Sequence, residues 1–335
     1  MCQKRIEIKN VSVTFPNGAR VLDEVSLVLP EGTRTVVIGE SGSGKSVMLA
    51  ALLGILPAGA EVSGSFYLDG EDLFLLPEKK MEKIRGRKMG YIPQGSGNSL
   101  NPLLKTGFQI AEPLMETCGI GKKEAVKEAI LWMKKLHLGQ EELLAEAYPH
   151  TLSGGMKQRV LIAMGSASGA KLLLADEPTK GLDEERVELV IELIRQLKGR
   201  TLLCVSHDLH FAEAAADRVC VMYASQQVEE CSREVFFAEP LHPYSRMMLE
   251  ALPERGMRGD FSFAPPHEKY GEMGCHFYSR CPQRSCLCRK KTPLIERDGR
   301  KVRCWQYADP GKSYFTQLSQ QEEGSAGSSA DQYSD

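Results

Sequence analysis

"GESGSGKS", residues 39–46, sits between the apolar run "TVVIG" that ends on its first glycine and the helix-like "SVMLAALLGIL" that begins at Ser46. Glycines at the first and sixth positions, followed by lysine and a hydroxyl residue, make a phosphate-cradling loop between a strand and a helix. Successive backbone N–H groups and the helix N-terminus then face one point. Gly42 and Gly44 permit close backbone approach, while Gly39, Glu40, Ser41 and Ser43 complete the loop. Lys45 is placed for β- and γ-phosphates and Ser46 for a Mg²⁺ shell.

A nucleotide site of this kind needs a carboxylate at the end of a second buried strand, and "KLLLADEP" (171–178) supplies two. Asp176 is expected to hold Mg²⁺ and Glu177 to orient and polarise the attacking water. Pro178 cannot continue the ladder, which exposes the acidic pair. The combination reads as an ATPase.

Around these motifs the pattern is α/β. The strand-like "IEIKNVSVTF" and "VLDEVSLVLP" flank an Asn17-Gly18 turn. "PEKKMEKIRGRKMG" reads as a basic surface segment, and the region from about 109 to 164 as mainly helical, with Val126, Ile130, Met133 and Leu136 on one face. After "AKLLLADEP" come an amphipathic helix with Val187, Val190, Ile191, Ile194 and Leu197, the strand "TLLCVSHD", and the strand-like "DRVCVMYASQQVEE". The order predicts a largely parallel sheet covered on its faces, with an all-helical insertion. The last residues, 319–335, are nearly free of apolar side chains and read as disordered.

Composition narrows the class. Across 335 residues, 42 Lys and Arg stand against 44 Asp and Glu, so no net field marks the chain for nucleic acid. No apolar run reaches membrane-spanning length and the charged start lacks a secretory pattern, which predicts a cytoplasmic location. Cys118, Cys204, Cys220 and Cys231 lie in apolar patterns and read as buried thiols.

With "LSGGMKQR" (152–159) preceding "LLLADEPTKGLD" and "VSHD", the chain resembles the ATP-binding subunits of ABC transporters. "NSLNP", "EPLHPYSRMMLEALP" (239–253) and "GCHFYSRCP" (274–282) resemble the oligopeptide, dipeptide and nickel importer group. The resemblance implies a P-loop ABC ATPase fold with an antiparallel β subdomain, a helical subdomain over about 95–165 and a short cysteine-rich C-terminal extension. The implied boundaries are a nucleotide-binding domain at 1–238, an extension at 239–318 with its cysteine-rich part at 275–304, and the tail beyond.

The same resemblance implies two nucleotide domains closing on two ATP molecules, with Ser153, Gly154 and Gly155 contacting the γ-phosphate held by the opposite P-loop. Gln94 would join Mg²⁺ and water to the helical subdomain, and the region from Gln94 to Met115 would pass motion to the membrane. Asp183 would cross the dimer interface, and His207 would touch the γ-phosphate and keep Glu177 placed. Phe15 either stacks on adenine or simply packs. Lys180 departs from the small or hydroxyl residue of many relatives. The 254–274 connection has fewer glycine-proline turns than the group pattern.

Partners implied by the resemblance are a related ATPase as heterodimer, two membrane-spanning permease subunits and an extracytoplasmic binding protein, with the chain peripheral on the cytoplasmic face. Peptide and nickel or another metal chelate both remain open as cargo. The alternative is a soluble ABC ATPase on nucleic acid or ribosomes, but no second cassette, long coiled coil or basic recognition surface is present.

Four further residues, Cys275, Cys281, Cys288 and Cys304, match positions at which ATPases of the group carry an iron-sulfur cluster. Their spacings of five, six and fifteen intervening residues are wider than those of paired zinc ligands. A [4Fe-4S] cluster, Zn²⁺ and free thiols all stay open, with Cys286 as competitor or bystander. Arg280, Arg284, Arg289 and Lys290 are available to offset thiolate charge.

Overall fold

The computed structural model describes residues 6–95, 99–197, 199–253 and 274–309. Most of the 254–274 connection and the whole 319–335 tail lie outside them. Strands are β1 (Ile6–Thr14), β2 (Arg20–Leu29), β3 (Arg34–Ile38), β4 (Glu61–Leu68), β5 (Glu71–Asp72), β6 (Met89–Ile92), β7 (Leu172–Asp176), β8 (Thr201–Ser206), β9 (Arg218–Tyr223), β10 (Gln226–Ser232), β11 (Ile295–Arg297) and β12 (Arg300–Val302). Among the described residues they run β5-β4-β1-β2-β10-β9-β3-β8-β7-β6, with β12 added on β10 and β11 on β12.

β9, β3, β8, β7 and β6 are mutually parallel, whereas β1, β2, β4 and β5 form an antiparallel portion. The parallel strands are covered on both faces, which explains their unbroken apolar runs. Alternation still sorts them: Val36, Ile38, Leu173 and Cys204 enter the core on one face, and Val37, Leu172, Leu174 and Leu203 enter the core on the other.

The helical part comprises helices Thr106–Cys118, Lys122–Lys135, Glu141–Glu146 and Gly154–Ala167. In the second, the buried seam is Ala125, Ala129 and Met133, with Val126 and Ile130 half-buried beside it. The expected face holds at Met133 and Leu136, and between Val126 and Ile130 it is shifted by about one residue toward Ala125 and Ala129. The basic segment at 77–90 contains a helix, Glu78–Ile84, anchored by buried Met81 and Ile84.

Two other expectations change. "DRVCVMYASQQVEE" is an antiparallel hairpin whose two-residue turn is Ala224-Ser225, both at positive φ (47° and 71°). Neither is a glycine or asparagine, so the usual hairpin signal is missing. Cys204, Cys220 and Cys231 are fully buried, but Cys118 is exposed because it ends its helix immediately before the left-handed Gly119.

β2 and β10 meet through a single residue pair, Gln226 with Asp23. Arg303 bridges this seam: it donates to the carbonyls of Gln227 (2.9 Å), Thr292 (3.2 Å) and Glu24 (3.2 Å) and is itself buried. β10 also buries Glu229 and Glu230. Glu229 accepts from the amides of Leu241 and His242, at 2.7 and 2.8 Å, and Glu230 is paired with Arg218 and Lys301, each at 3.0 Å. Buried charge of this kind persists where every oxygen is partnered.

Candidate ATP and cysteine sites

β3 delivers Gly39 to the loop and the helix Lys45–Leu53 leaves it. At Gly39, φ is 153° and an added Cβ would lie 2.0 Å from the Met222 carbonyl oxygen; at Gly44, φ is 96° and the distance to the Val21 oxygen would be 2.4 Å. No side chain fits either position. Lys45 curls back, donating to the carbonyls of Gly39 (2.7 Å) and Glu40 (2.9 Å). Burial lowers its pKa against the pull of Glu177 and Asp176.

A cavity of about 350 Å³ opens over the loop, with Ser41, Lys45, Ser46, Gln94, Glu177 and Lys180 among its walls. Ser46 Oγ donates to Asp176 Oδ1 at 2.9 Å. Burial raises the Asp176 pKa despite that hydrogen bond, so a divalent cation beside this hydroxyl–carboxyl pair would relieve the desolvation. The donor set therefore fits Mg²⁺.

Glu177 takes φ of 48°, unusual for a residue with a side chain. Its amide is bound to the Val205 carbonyl at 2.9 Å, and its carboxylate contacts His207 Nδ1. The backbone twist at the end of β7 points the carboxylate into the cavity. Lys180 also reaches this wall and is felt electrostatically by both Lys45 and Asp176.

Ser153, Gly154 and Gly155 lie outside this cavity. Ser153 caps the helix Gly154–Ala167, its Oγ accepting from the Met156 amide at 3.3 Å, and Ser153 and Gly154 are exposed. Gly155 is buried against Arg186, whose Cδ would be 2.8 Å from an added Cβ. Asp183 is also exposed, capping the helix Glu184–Gln196 through the Arg186 amide at 3.0 Å. Phe15 packs half-buried on the β-subdomain core.

Sequence reasoning missed two groups at the back of the loop. Tyr244 Oη accepts from the Glu40 amide at 3.1 Å, and Arg280 Nη1 contacts both Glu40 carboxylate oxygens at 2.9 and 3.1 Å. They are 204 and 240 residues downstream of Glu40, and no local pattern announces such a pairing.

A second cavity, with about 10 Å³ of open space, has Cys275, Cys281, Cys288 and Cys304 in its walls together with Thr292 and Trp305. The turns are tight: the Cys275 amide binds the Cys288 carbonyl at 2.8 Å, and an added Cβ at Gly274 would lie 2.2 Å from the Lys290 oxygen. Burial pushes the Cys275 thiol up to about 12 and the Cys304 thiol to about 11, and the neighbouring thiols add to both. Thr292 Oγ1 is buried without a hydrogen-bond partner among the described residues. Cys286 is exposed.

Of the cations expected to offset thiolates, Arg284 acts on Cys281, while Arg280 is turned to Glu40 and Arg289 donates to Tyr278 Oη at 3.3 Å. Arg246, which was not foreseen, acts on Cys304. Among the described residues no three His, Cys, Asp or Glu side chains converge as ligands of one metal ion.

Comparison with known proteins agrees with this geometry. The ABC transporter family model matches residues 22–180, and the model of the oligopeptide/dipeptide transporter C-terminal region matches 228–288. The oligopeptide transport ATP-binding protein AppD of Bacillus subtilis is 35% identical over 320 residues, covering 91% of this chain and 98% of the relative. The dipeptide transport ATP-binding protein DppD of Haemophilus influenzae is 36% identical, covering 89% and 94%. A solved bacterial ABC transporter cassette, the dimeric MJ0796, superposes with a TM-score of 0.62 at 31% identity, covering 68% of this chain and 98% of that one. Among the described residues no helix is long and apolar enough to cross a membrane. The chain belongs to the ATP-binding subunits of ABC transporters, in the group bearing the oligopeptide/dipeptide C-terminal region, and it is an ATPase.

Proposed function

We propose that the chain is a peripheral motor subunit of a peptide importer, working on the cytoplasmic face of the membrane with two permease subunits, an extracytoplasmic binding protein and a second, related ATPase. The observation that carries this reading is the Glu177–His207 pair at the wall that also holds Lys45 and Ser46. Peptide-transport names among the relatives support peptide over nickel and over nucleic acid.

In this reading Lys45 exchanges the Gly39 and Glu40 carbonyls for β- and γ-phosphate oxygens, and the loop amides bind the rest. Mg²⁺ held by Ser46, Asp176 and Gln94 would neutralise phosphate charge. Glu177 orients a water molecule and draws its proton, while His207 fixes the carboxylate. The exposed Ser153 and Gly154, with Gly155 behind them, reach the ATP of the paired subunit, and Asp183 crosses the same interface. Phe15 is within the β portion from which adenine stacking would come.

Purification of the native membrane complex tests the assembly. Permeases and one related ATPase are expected; two copies of this chain without a paralogue would overturn the heterodimer, and recovery only with ribosomes or DNA would overturn the importer.

We infer further that Cys275, Cys281, Cys288 and Cys304 hold one [4Fe-4S] cluster. Such a cluster takes one thiolate per iron, so its four ligands surround a volume instead of meeting at a point. The four cysteines share one cavity wall, yet among the described residues no three of them meet as ligands of a single ion, and this supports a cluster over Zn²⁺. Its chemistry would be to hold the turns of 274–309 together. Anaerobic purification with iron and sulfide analysis is expected to find four of each per chain, about the stoichiometry of the cluster. Zinc alone, or neither metal, would overturn it.

A further inference from the structure

Glu40 stands in the phosphate loop but not in the cavity wall; its carboxylate points to the back, toward the C-terminal segment. There Arg280 Nη1 reaches both carboxylate oxygens and lies 3.3 Å from Tyr223 Oη. The guanidinium carbon is 5.6 Å from the ring centroids of both Tyr223 and Phe277. Tyr244, 4.6 Å from Tyr223 ring to ring, takes the Glu40 amide, and the Glu40 carbonyl accepts from Lys45. Every polar group of Glu40 is thus occupied from behind or by the phosphate-binding lysine.

Two effects follow. Glu40 acts electrostatically on Lys45, so a bare carboxylate here opposes a triphosphate arriving on the other side of the loop. The ion pair is half-buried: the Arg280 side chain is only 5% exposed, whereas the Glu40 side chain is 38% exposed. Removing Arg280 would leave the Glu40 carboxylate unpaired and only partly solvated beside the phosphate loop.

We propose that Arg280 is a positioning residue of the ATP site, neutralising Glu40 and drawing it away from the phosphates, so that the cysteine-rich segment sets the nucleotide affinity of the loop. This rests on the reading of the loop as an ATP site. It assigns Arg280 a role distinct from any charge balance at the neighbouring thiols.

The test is equilibrium binding of Mg-ATP to the full chain, with thermal melts to establish that each variant is folded. Arg280→Gln is expected to weaken binding about tenfold and Glu40→Gln, which removes the opposing carboxylate, to stay within about twofold of the parent, while the double variant returns to the Glu40→Gln value instead of keeping the tenfold loss. Rescue by the second substitution is the signature of charge neutralisation; a merely structural role would not produce it. Arg280→Lys, which keeps the charge without the fork, should lose about twofold to threefold, and it decides the matter if Arg280→Gln does not fold. A folded Arg280→Gln that binds like the parent, effects that multiply in the double variant, or, where only the lysine variant folds, parental affinity in it would overturn the proposal. Lys45→Ala tests the reading beneath: parental ATP binding there would sink the ATP site itself, whereas its loss beside an unaltered Arg280→Gln would sink only the role of Arg280.

Discussion

The two cavities of this molecule are built on opposite plans. The phosphate loop is contiguous, made of backbone amides and glycines that no side chain could replace, and it is open to solvent. The cysteine cavity has almost no free volume and is walled by side chains from the turns of 275–306 together with His242 and Pro243. A contiguous site tolerates almost nothing within eight positions and much outside them. A dispersed site tolerates changes between its ligands but depends on the turns that bring them together, Gly274 above all.

Substitution can break that comparison, and the largest effect is expected at Glu177. Glu177→Gln should retain Mg-ATP binding while turnover falls by about 10²–10³-fold, as for loss of a general base; steady-state hydrolysis and binding measured on the same sample check it, with iron content unchanged. Near-normal turnover would remove Glu177 from the chemistry. Next is Gly39→Ala. A methyl group 2.0 Å from a backbone oxygen must move β9 or the loop, and a cost of about 3 kcal/mol or more is expected in denaturant unfolding.

Arg303→Met sharpens the comparison by removing a residue that ties the wall of the cysteine cavity, through the Thr292 carbonyl, to the sheet. It leaves the Glu24 and Gln227 carbonyls of the β2–β10 seam and the Thr292 carbonyl without their donor, and about 2–3 kcal/mol of stability should be lost. Calorimetry would show whether the antiparallel portion then melts separately. The smallest effects separate the cysteines: Cys288→Ser should abolish iron retention with ATP turnover reduced by about threefold or less, the range of a positioning effect, whereas Cys286→Ser should change neither. Iron retention in the first, or its loss in the second, would reassign the ligands.

Much of this was legible in the sequence, and for a physical reason. Phosphate loops, strand-end carboxylates and helix caps are local: a few neighbouring residues dictate the backbone. Lys45, Ser46, Asp176 and Glu177 could therefore be placed by their own surroundings, and Gln94 through the family resemblance alone; the structure brings them to one wall or its edge. The β9–β10 turn escaped because Ala224 and Ser225 adopt left-handed geometry under the constraint of the strands, not by their own preference. The helix at 78–84 escaped because only Met81 and Ile84 face inward, too few to show a period. Arg280 and Tyr244 escaped because nothing near residue 40 names its partners, and Arg280 had been assigned to the thiols beside it.

The distance along the chain between Glu40 and Arg280 also imposes an order in time. During synthesis from the N-terminus, residues 39–46 emerge long before residue 280 has been polymerised, and the Arg303 bridge comes later still. Until then the Glu40 carboxylate has no guanidinium and the β2–β10 seam lacks its donor. The loop's own strand β3 must wait for β8 and β9, and on the role proposed for Arg280 the loop would reach full affinity only when almost the whole polypeptide has left the ribosome. ATP would then be gripped only by finished molecules, and a chain truncated in its last quarter would be a weak competitor for nucleotide.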